Sequence, residues 1–403
     1  MGCESSPLSI QPRPFTIASR VTYNPWATND QRYPAADQEN RLHDLHEQLI
    51  ERSAHYIGFP NSRIFDFKIL ADFLKFNINN IGDPWHPNSG INTCDFEREV
   101  LEFFAGIFHL DLNQGWGYIT NGGTESNMYA IVRGRDAYPD AQLIFSEESH
   151  YSLTKIAHLL RMPHSVVPCH ADGKLNLEAF ASQIKDLNGK PCVINLSVGT
   201  TFHGAIESPA EVLNILDRQG CKEYYLHVDA ALYGPMLPFI EGAPSFDFQL
   251  PIHSLSFSGH KFLGTPIPCG LVLCDRKQDP RFGSSAEYVG SVDTTLSGSR
   301  DGVSALILWT LITRLKGNGM AELAQQSLQL AEDAVLWLRD AGIECIHHPF
   351  GNIVVFPRPS VDLARKWQLA TRGDLAHIVT LPGVTEAMLK TFITELIVDL
   401  KNE

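Results

Sequence analysis

Short apolar runs that break off into small and polar residues, and then into helix, recur through the middle of this 403-residue chain. Leu143-Ile144-Phe145 gives way to Ser149-His150-Tyr151, and Cys192-Val193-Ile194-Asn195-Leu196 to Gly199-Thr200-Thr201. Tyr224-Tyr225-Leu226-His227-Val228 gives way to Asp229-Ala230-Ala231. A run at 252–257 alternates polar and apolar residues and leads to Ser258-Gly259-His260-Lys261; Gly270-Leu271-Val272-Leu273-Cys274 follows. Strands interleaved with helices predict a mostly parallel, doubly wound α/β sheet with helices on both faces. In such sheets ligands bind beyond the carboxyl ends of the strands. Every polar candidate in the chain falls at such an end, and this agreement of separate stretches says more than any one of them.

Lys261 stands out among those candidates. A free lysine titrates near 10.4 and is a poor nucleophile at neutral pH unless its surroundings lower that value. Beside His260 in a turn of small residues it is a candidate Schiff-base former; on that stretch alone, a surface lysine fits as well. The segment Gly117-Tyr118-Ile119-Thr120-Asn121-Gly122-Gly123-Thr124-Glu125-Ser126-Asn127-Met128 reads as a short strand, a tight turn and a helix start. Gly122 and Gly123 let backbone approach a ligand, and the helix start offers unpaired N–H groups suited to a phosphate. A simple capped turn would look the same.

The remaining chain frames this centre. Residues 1 to about 38 read as an extended arm, followed by a helix from Asp37 to about His55 with Leu42, Leu45, Leu49 and Ile50 on one face. A second helix carries Ile69, Leu70, Phe73, Leu74 and Phe76, and a third spans 95–109. Gly82-Asp83-Pro84-Trp85-His86-Pro87-Asn88-Ser89-Gly90 is a loop. A long helical stretch from about Gly302 to Trp337, interrupted near Gly317–Gly319, leads to strands near 352–356 and 376–380 and a last helix at 384–400. The expected division is an arm and helix over 1–55, a large domain over 56–300 and a small α+β domain over 301–403.

Composition removes several function classes. A net charge of -14 offers no field for nucleic acid or anionic lipid. Eight cysteines are scattered without a CxxC pair, so no zinc site is expected, and a reduced cytoplasmic setting is. No apolar run reaches membrane-spanning length, and no membrane association is expected. Met1-Gly2-Cys3-Glu4-Ser5-Ser6 fits a myristoylation pattern with Cys3 placed for palmitoylation, a short match that arises easily by chance.

One cofactor meets all the demands together. A phosphate suits Gly122, Gly123 and Thr124, helped by Ser258 and His260. An aldehyde condenses with Lys261. A ring nitrogen that must stay protonated needs a carboxylate, and Asp229 follows an apolar strand. Ala231 is small enough for a flat ring to pack, and His150 can stack on its other face. These are the demands of pyridoxal 5'-phosphate, for which protein supplies positioning and electronic tuning. Taken singly, Asp229 reads equally as a helix cap and His150 as a loop histidine.

The set Asn121-Gly122-Gly123-Thr124-Glu125-Ser126-Asn127, Ser149-His150-Tyr151, Gly199-Thr200-Thr201, Asp229-Ala230-Ala231 and Ser258-Gly259-His260-Lys261 resembles the group II pyridoxal-phosphate amino-acid decarboxylases of fold type I, the aspartate-aminotransferase-like architecture. Within them the chain is most similar to short histidine decarboxylases and plant-type serine decarboxylases. Phe96-Glu97, Trp116-Gly117-Tyr118, Cys269-Gly270, Gly298-Ser299-Arg300 and Gly373-Asp374-Leu375-Ala376-His377 also match. The likeness covers roughly residues 40–400.

The resemblance implies a homodimer, or a tetramer built from it, with sites at the subunit interface. It implies Lys261 as the Schiff-base lysine, Asp229 as the partner of the ring nitrogen and His150 as the stacking residue. Thr200 would lie near the cofactor's O3′, Ser299 would reach the phosphate of the neighbouring subunit, and Tyr288 on a loop would protonate Cα after CO2 leaves. The implied reaction releases CO2 and an amine, histidine to histamine first and serine to ethanolamine second. Transamination, aldehyde-forming decarboxylation and a non-catalytic cofactor-binding relative stay open at this level. Two departures stand out. Thr201-Phe202-His203-Gly204 lacks the basic or small residue expected after the second threonine. Arg300-Asp301-Gly302-Val303 stands where Arg-Asn-Gly-His is expected.

Overall fold

In the computed structural model, residues 35–87, 89–278, 283–287 and 290–402 are described. Most of the expected arm, including Gly2 and Cys3, and Tyr288 lie outside those residues. The chain divides into two compact units, Met1–Ser53 and Ala54–Glu403. The first contributes helix α1 (Ala35–Ser53). Its Leu42, Leu45, Leu49 and Ile50 are all exposed.

The second unit is built on a seven-stranded sheet. In chain order come β1 (Asn79–Ile81), α2 (Cys94–Ile107), β2 (Gly115–Thr120), α3 (Gly123–Ala137), β3 (Gln142–Ser146), α4 (Ser152–Leu160), β4 (His164–Val167), α5 (Leu177–Asp186), β5 (Cys192–Ser197), α6 (Pro209–Arg218) and β6 (Tyr224–Asp229). Then follow β7 (Ser254–Ser258), β8 (Gly270–Asp275), the short strands β9 (Ser284–Ala286), β10 (Ser291–Asp293) and β11 (Ser299–Asp301), and the long helix α7 (Gly302–Asp340). The chain ends in β12 (Ile346–His347), β13 (Ile353–Pro357), α8 (Val361–Lys366), β14 (Ala370–Arg372), β15 (Leu375–Val379) and α9 (Glu386–Asn402). The large sheet runs β2-β8-β7-β6-β5-β3-β4. Only β8 runs against its neighbours, β2 and β7, so the sheet is mostly parallel as expected.

The inner strands are sorted by face. Directly paired residues, and residues two apart along a strand, share a face. Ile194 and Leu196, Leu226 and Val228, and Leu255 and Phe257 therefore line one side, and all six are buried in the main core. The opposite side carries Asn195 and Ser197, His227 and Asp229, and Ser254 and Ser256, all buried as well. Central parallel strands normally read as continuous apolar runs, so this buried polar strip is unusual. Helix α3 covers it and supplies a polar partner, Asn127.

A second sheet, β12-β13-β15-β14, packs with α7, α8 and α9 around Ala334, Val354, Phe356, Trp367, Ile378 and Phe392. Helix α7 breaks its geometry at Lys316 (φ 53°), next to the interruption expected at Gly317–Gly319. The expected α-helix over Ile69–Phe76 is instead a 3-10 helix, Lys68–Lys75. Ile69, Phe73, Leu74 and Phe76 are exposed there and only Leu70 is buried, so tertiary packing does not impose the α period. Strand β4 and helix α5 were not expected. Exposed His164, Ser165 half-buried and exposed Val166 give β4 no apolar run to announce it.

One ion pair ties the sheet's edge to the loops beside it. Glu97 on α2 and Arg300 on β11 form a fully buried pair. Glu97 also accepts from the Ile119 N–H (2.8 Å) and Asn80 Nδ2 (2.8 Å). Arg300 donates to the carbonyls of Ile119 (3.1 Å) and Gly82 (3.0 Å). Removing one partner of a buried pair leaves an uncompensated charge and costs about 3–5 kcal/mol. Glu97→Ala should therefore lower the denaturant midpoint, measured by circular dichroism, well below that of Glu386→Ala, which breaks an exposed pair with Lys390. Equal midpoints would mean that the buried pair does not secure this edge.

Candidate active site

At the carboxyl ends of β3, β5, β6 and β7 lies a cavity of about 310 Å³. His150, Thr200, Asp229, Ala231 and Lys261 all line it, each from a different loop or strand end save the neighbours Asp229 and Ala231. Burial pulls the Lys261 amine below its ordinary lysine value, with the negative charge of Asp229 opposing the shift. That is the direction a nucleophilic amine requires. Burial likewise lowers His150, again against Asp229 and with Lys261 adding to the fall. A neutral imidazole can stack without adding positive charge beside the lysine. Its Nδ1 lies 2.8 Å from Ser152 Oγ, which fixes the ring.

Asp229 is held on both oxygens. Oδ1 accepts from the Ala231 N–H (3.0 Å) and Oδ2 from Asn127 Nδ2 (2.6 Å). The Thr200 hydroxyl accepts from the Ala205 N–H (2.9 Å), leaving its own proton to give. The cavity's outer wall is apolar, with Phe59, Pro60, Phe202, Ile353 and Val379. His377 also lines it, set between the carbonyls of Phe202 (Nδ1 at 2.8 Å) and Gly58 (Nε2 at 3.1 Å), to one of which its single N–H donates.

The expected phosphate cradle lies beside this cavity without lining it. Gly122 (φ 140°) turns the chain into α3, a conformation that favours glycine. A Cβ on Gly123 would stand 2.7 Å from Ser258 Oγ, so the start of α3 and the end of β7 meet there. His260 Nδ1 lies 3.1 Å from the Cys269 carbonyl, which leaves its Nε2 edge for another partner. Ser299 is exposed on β11, with its hydroxyl accepting from Asn79 Nδ2 (3.0 Å), and does not line the cavity. Tyr288 lies outside the described residues.

Sequence reasoning missed four polar groups around this centre. Asn127 lay inside the quoted glycine-rich motif, but nothing in its spacing marked it as the partner of Asp229, 102 positions away. Glu148 pairs with His203 Nδ1 (3.1 Å) and with Arg372 (2.6 Å) behind the Thr201–Phe202 wall. Arg372 also lies over the Phe202 ring at 4.5 Å. Beside the departure at Phe202, Arg372 of β14 thus brings a cation to this segment. Glu207, fully buried, accepts from the Ser197 N–H (2.6 Å).

The pyridoxal-dependent decarboxylase conserved domain matches residues 59–342. The chain belongs to this family. A histidine decarboxylase from Vibrio campbellii is 41% identical to this decarboxylase over 370 residues, covering 90% of this chain and 95% of that one. Serine decarboxylase 1 of rice is 40% identical over 86% of this chain and 73% of its own. Among solved structures, L-methionine decarboxylase from Streptomyces sp. 590 superposes with a TM-score of 0.83 at 25% identity, covering 91% of this chain and 96% of that one. The protein is a carboxy-lyase of fold type I that uses pyridoxal phosphate. The cradle at Gly123 and Ser258, the buried amine of Lys261 and the anchored carboxylate of Asp229 fit that group.

Burial pushes the Glu207 carboxyl up to about 7, against the pull of Ser146 and the Ser197 N–H and with Asp229 and Glu148 adding to the rise. An unfolded glutamate titrates near ~4.3, so between that value and about 7 the folded chain holds one proton more. The stability due to this group is present at low pH and is lost as pH rises through that window. Glu207→Gln removes the effect. The stability of wild type minus that of the variant should fall with pH, by up to about 1.4 kcal/mol per unit inside the window. A flat difference across urea titrations from pH 5 to 7 would contradict it.

Proposed function

We propose that this decarboxylase converts L-histidine to histamine and CO2, with Lys261, Asp229, His150 and Tyr288 as its catalytic residues. What carries the catalytic part is one observation. Lys261, Asp229 and His150 come from three separate strand ends and share one cavity. What supports the substrate is that relatives named histidine decarboxylase, 36–41% identical, are spanned over 90–97% of their own length. The second reading, serine to ethanolamine, is supported by two rice serine decarboxylases at 40% and 38% identity, spanned over 73% and 76%.

Pyridoxal phosphate supplies an aldehyde for amine exchange and a ring that accepts the electrons left when CO2 departs. The chain's own residues do the rest. Lys261, kept below its ordinary value by burial, offers a neutral amine. Asp229 would hold the proton on the ring nitrogen, and Ala231 would leave room for the ring. His150 would stack on the ring, and Thr200 has a hydroxyl proton it could give to the cofactor's phenolic oxygen. Gly122, Gly123, Thr124, Ser258 and His260 bind the phosphate, joined by Ser299 from the neighbouring subunit. The apolar wall at Phe59, Phe202, Ile353 and Val379 excludes water from Cα. Tyr288 returns the proton to Cα.

A homodimer is part of this reading. It is supported by exposed apolar side chains on α1 and, separately, by exposed Ile69, Leu74 and Phe76; apolar patches of this kind mark interaction surfaces. Large and small domains over 56–300 and 301–403 belong to the same reading; the separate core around Ala334, Val354 and Phe392 supports a second body, while the first half of α7 packs in the main core. Among the described residues no helix is long and apolar enough to cross a membrane. A cytoplasmic setting is proposed on the scattered cysteines.

The test is amine release from a panel of L-amino acids by the cofactor-loaded protein, with Lys261→Ala as control. Histamine from histidine, absent in the control, is the expected result. Ethanolamine from serine alone would replace the substrate. Release of CO2 with an aldehyde would replace the reaction. Asp229→Ala should lose most of the turnover, more than 100-fold on the scale of a lost electrostatic stabiliser. Near-normal turnover in that variant would remove Asp229 from its role.

A further inference from the structure

We infer that Asn127 is a positioning residue for Asp229, and that His227 and Ser256 set the direction in which it points. The inference rests on the reading of Asp229 as the ring-nitrogen partner. The geometry begins with the amide itself. Asn127 Oδ1 accepts from Ser256 Oγ (2.9 Å) and lies 3.1 Å from His227 Nε2. His227 Nδ1 in turn lies 2.9 Å from Ser254 Oγ. With Ser254 donating to Nδ1, His227 carries its proton on Nε2 and gives it to Asn127. Both donors therefore stand on the oxygen side of the amide. The nitrogen side is left to face Asp229 Oδ2, at 2.6 Å.

All five residues are buried, and four sit in two adjacent rows of one sheet face. Burial keeps His227 neutral, with a value near 4, so the relay brings no second cation to Asp229. Oδ1 of Asp229 is already engaged by the Ala231 N–H. The two bonds together fix the carboxylate plane, and the cavity receives the face that neither bond occupies. A buried carboxylate with fewer donors would favour its protonated form and turn more freely. A protonated Asp229 has no charge to hold a proton on a ring nitrogen.

The bland account is that Asn127 only pins α3 to the sheet. The two accounts differ in what Asn127→Asp does. The substitution keeps the size of the side chain and an acceptor for Ser256 and His227. It also sets a second carboxylate against Asp229, and two carboxylates in contact share a proton. The ionisable groups facing Asp229 are Lys261 beyond β7, His150 before α4, His227 on β6 itself and Glu207 behind Ser197. None of them is altered.

The experiment uses full-length protein, stripped of cofactor and titrated with pyridoxal phosphate, and then assayed for turnover across pH 5 to 9. Asn127→Asp should weaken cofactor binding about tenfold and lower kcat about tenfold with little change in KM. The acid limb of its kcat profile should move up by about one pH unit. Ser256→Ala, which removes one donor and leaves the amide, should shift the same limb in the same direction by less. Wild-type affinity and an unmoved profile in Asn127→Asp would overturn the inference. If Asn127→Asp does not fold, Ser256→Ala decides, and an unmoved acid limb in that variant overturns it as well. Asp229→Ala separates the parent reading. If that variant binds cofactor as wild type does, the role of Asp229 falls; if it does not, and Asn127→Asp is normal, only the role of Asn127 falls.

Discussion

A carboxylate at the inner end of a central strand needs donors that the sheet itself cannot supply. The backbone ladder of β6 is used up by β5 and β7, so Asp229 depends on side chains and on the turn that follows it. The turn gives the Ala231 N–H and helix α3 gives Asn127. Asn127 then needs its own partners, which is why the covered face of β6 and β7 carries His227, Ser254 and Ser256 where apolar residues would otherwise pack. A buried polar network is stabilising only when its members are satisfied. The result is a less apolar core on that face, which the other face offsets with Ile194, Leu196, Leu226, Val228, Leu255 and Phe257.

The same logic applies at the sheet's edge. Strand β2 is an outer strand, and the turn after it must hold Gly122 and Gly123 against the end of β7. Glu97 and Arg300 together grip the free edge of that strand at Ile119, one through its N–H and one at its carbonyl. Arg300 also carries the loop at Gly82 and stacks over Tyr118 at 5.3 Å. Asp301, next to it, caps α7 by accepting from the N–H groups of Val303 (2.9 Å) and Ser304 (3.2 Å). An aspartate at this position therefore serves the helix directly, since its charge suits a helix start as well as an asparagine would. That departure from the family pattern leaves the start of α7 capped.

The residues at strand ends were legible in the sequence because each broke an apolar run, and runs of that kind announce strands. Lys261, Asp229, His150 and Thr200 were all found that way, and the structure gathers them in one cavity. Asn127 was not found, because its role depends on α3 lying across β6 and β7, which no local pattern encodes. Arg372 was invisible for a similar reason: it lies 224 positions from Glu148. Strand β4 has no apolar run, and the 3-10 helix at Lys68–Lys75 has the apolar content of an α-helix without a surface to pack it. Local signals named the groups that line the cavity, and long-range packing named the groups that hold them.

The wall formed by Thr201 and Phe202 shows how a family pattern can change and still hold. Where a basic or small residue is expected, this chain has Phe202 and His203. His203 turns inward to Glu148, and Arg372 reaches the same carboxylate from β14. Burial would raise Glu148, yet the hydrogen bonds from His203 and Arg372 hold it below its ordinary value. The Glu148 carboxylate therefore stays charged near neutral pH and keeps Arg372 over the Phe202 ring. His377 fastens the same segment from below through the Phe202 carbonyl. Phe202 is thus clamped at ring and backbone by two residues of the C-terminal sheet. The shape of the cavity wall depends on that sheet as much as on the large one, and a change at Arg372 would be felt first at Phe202.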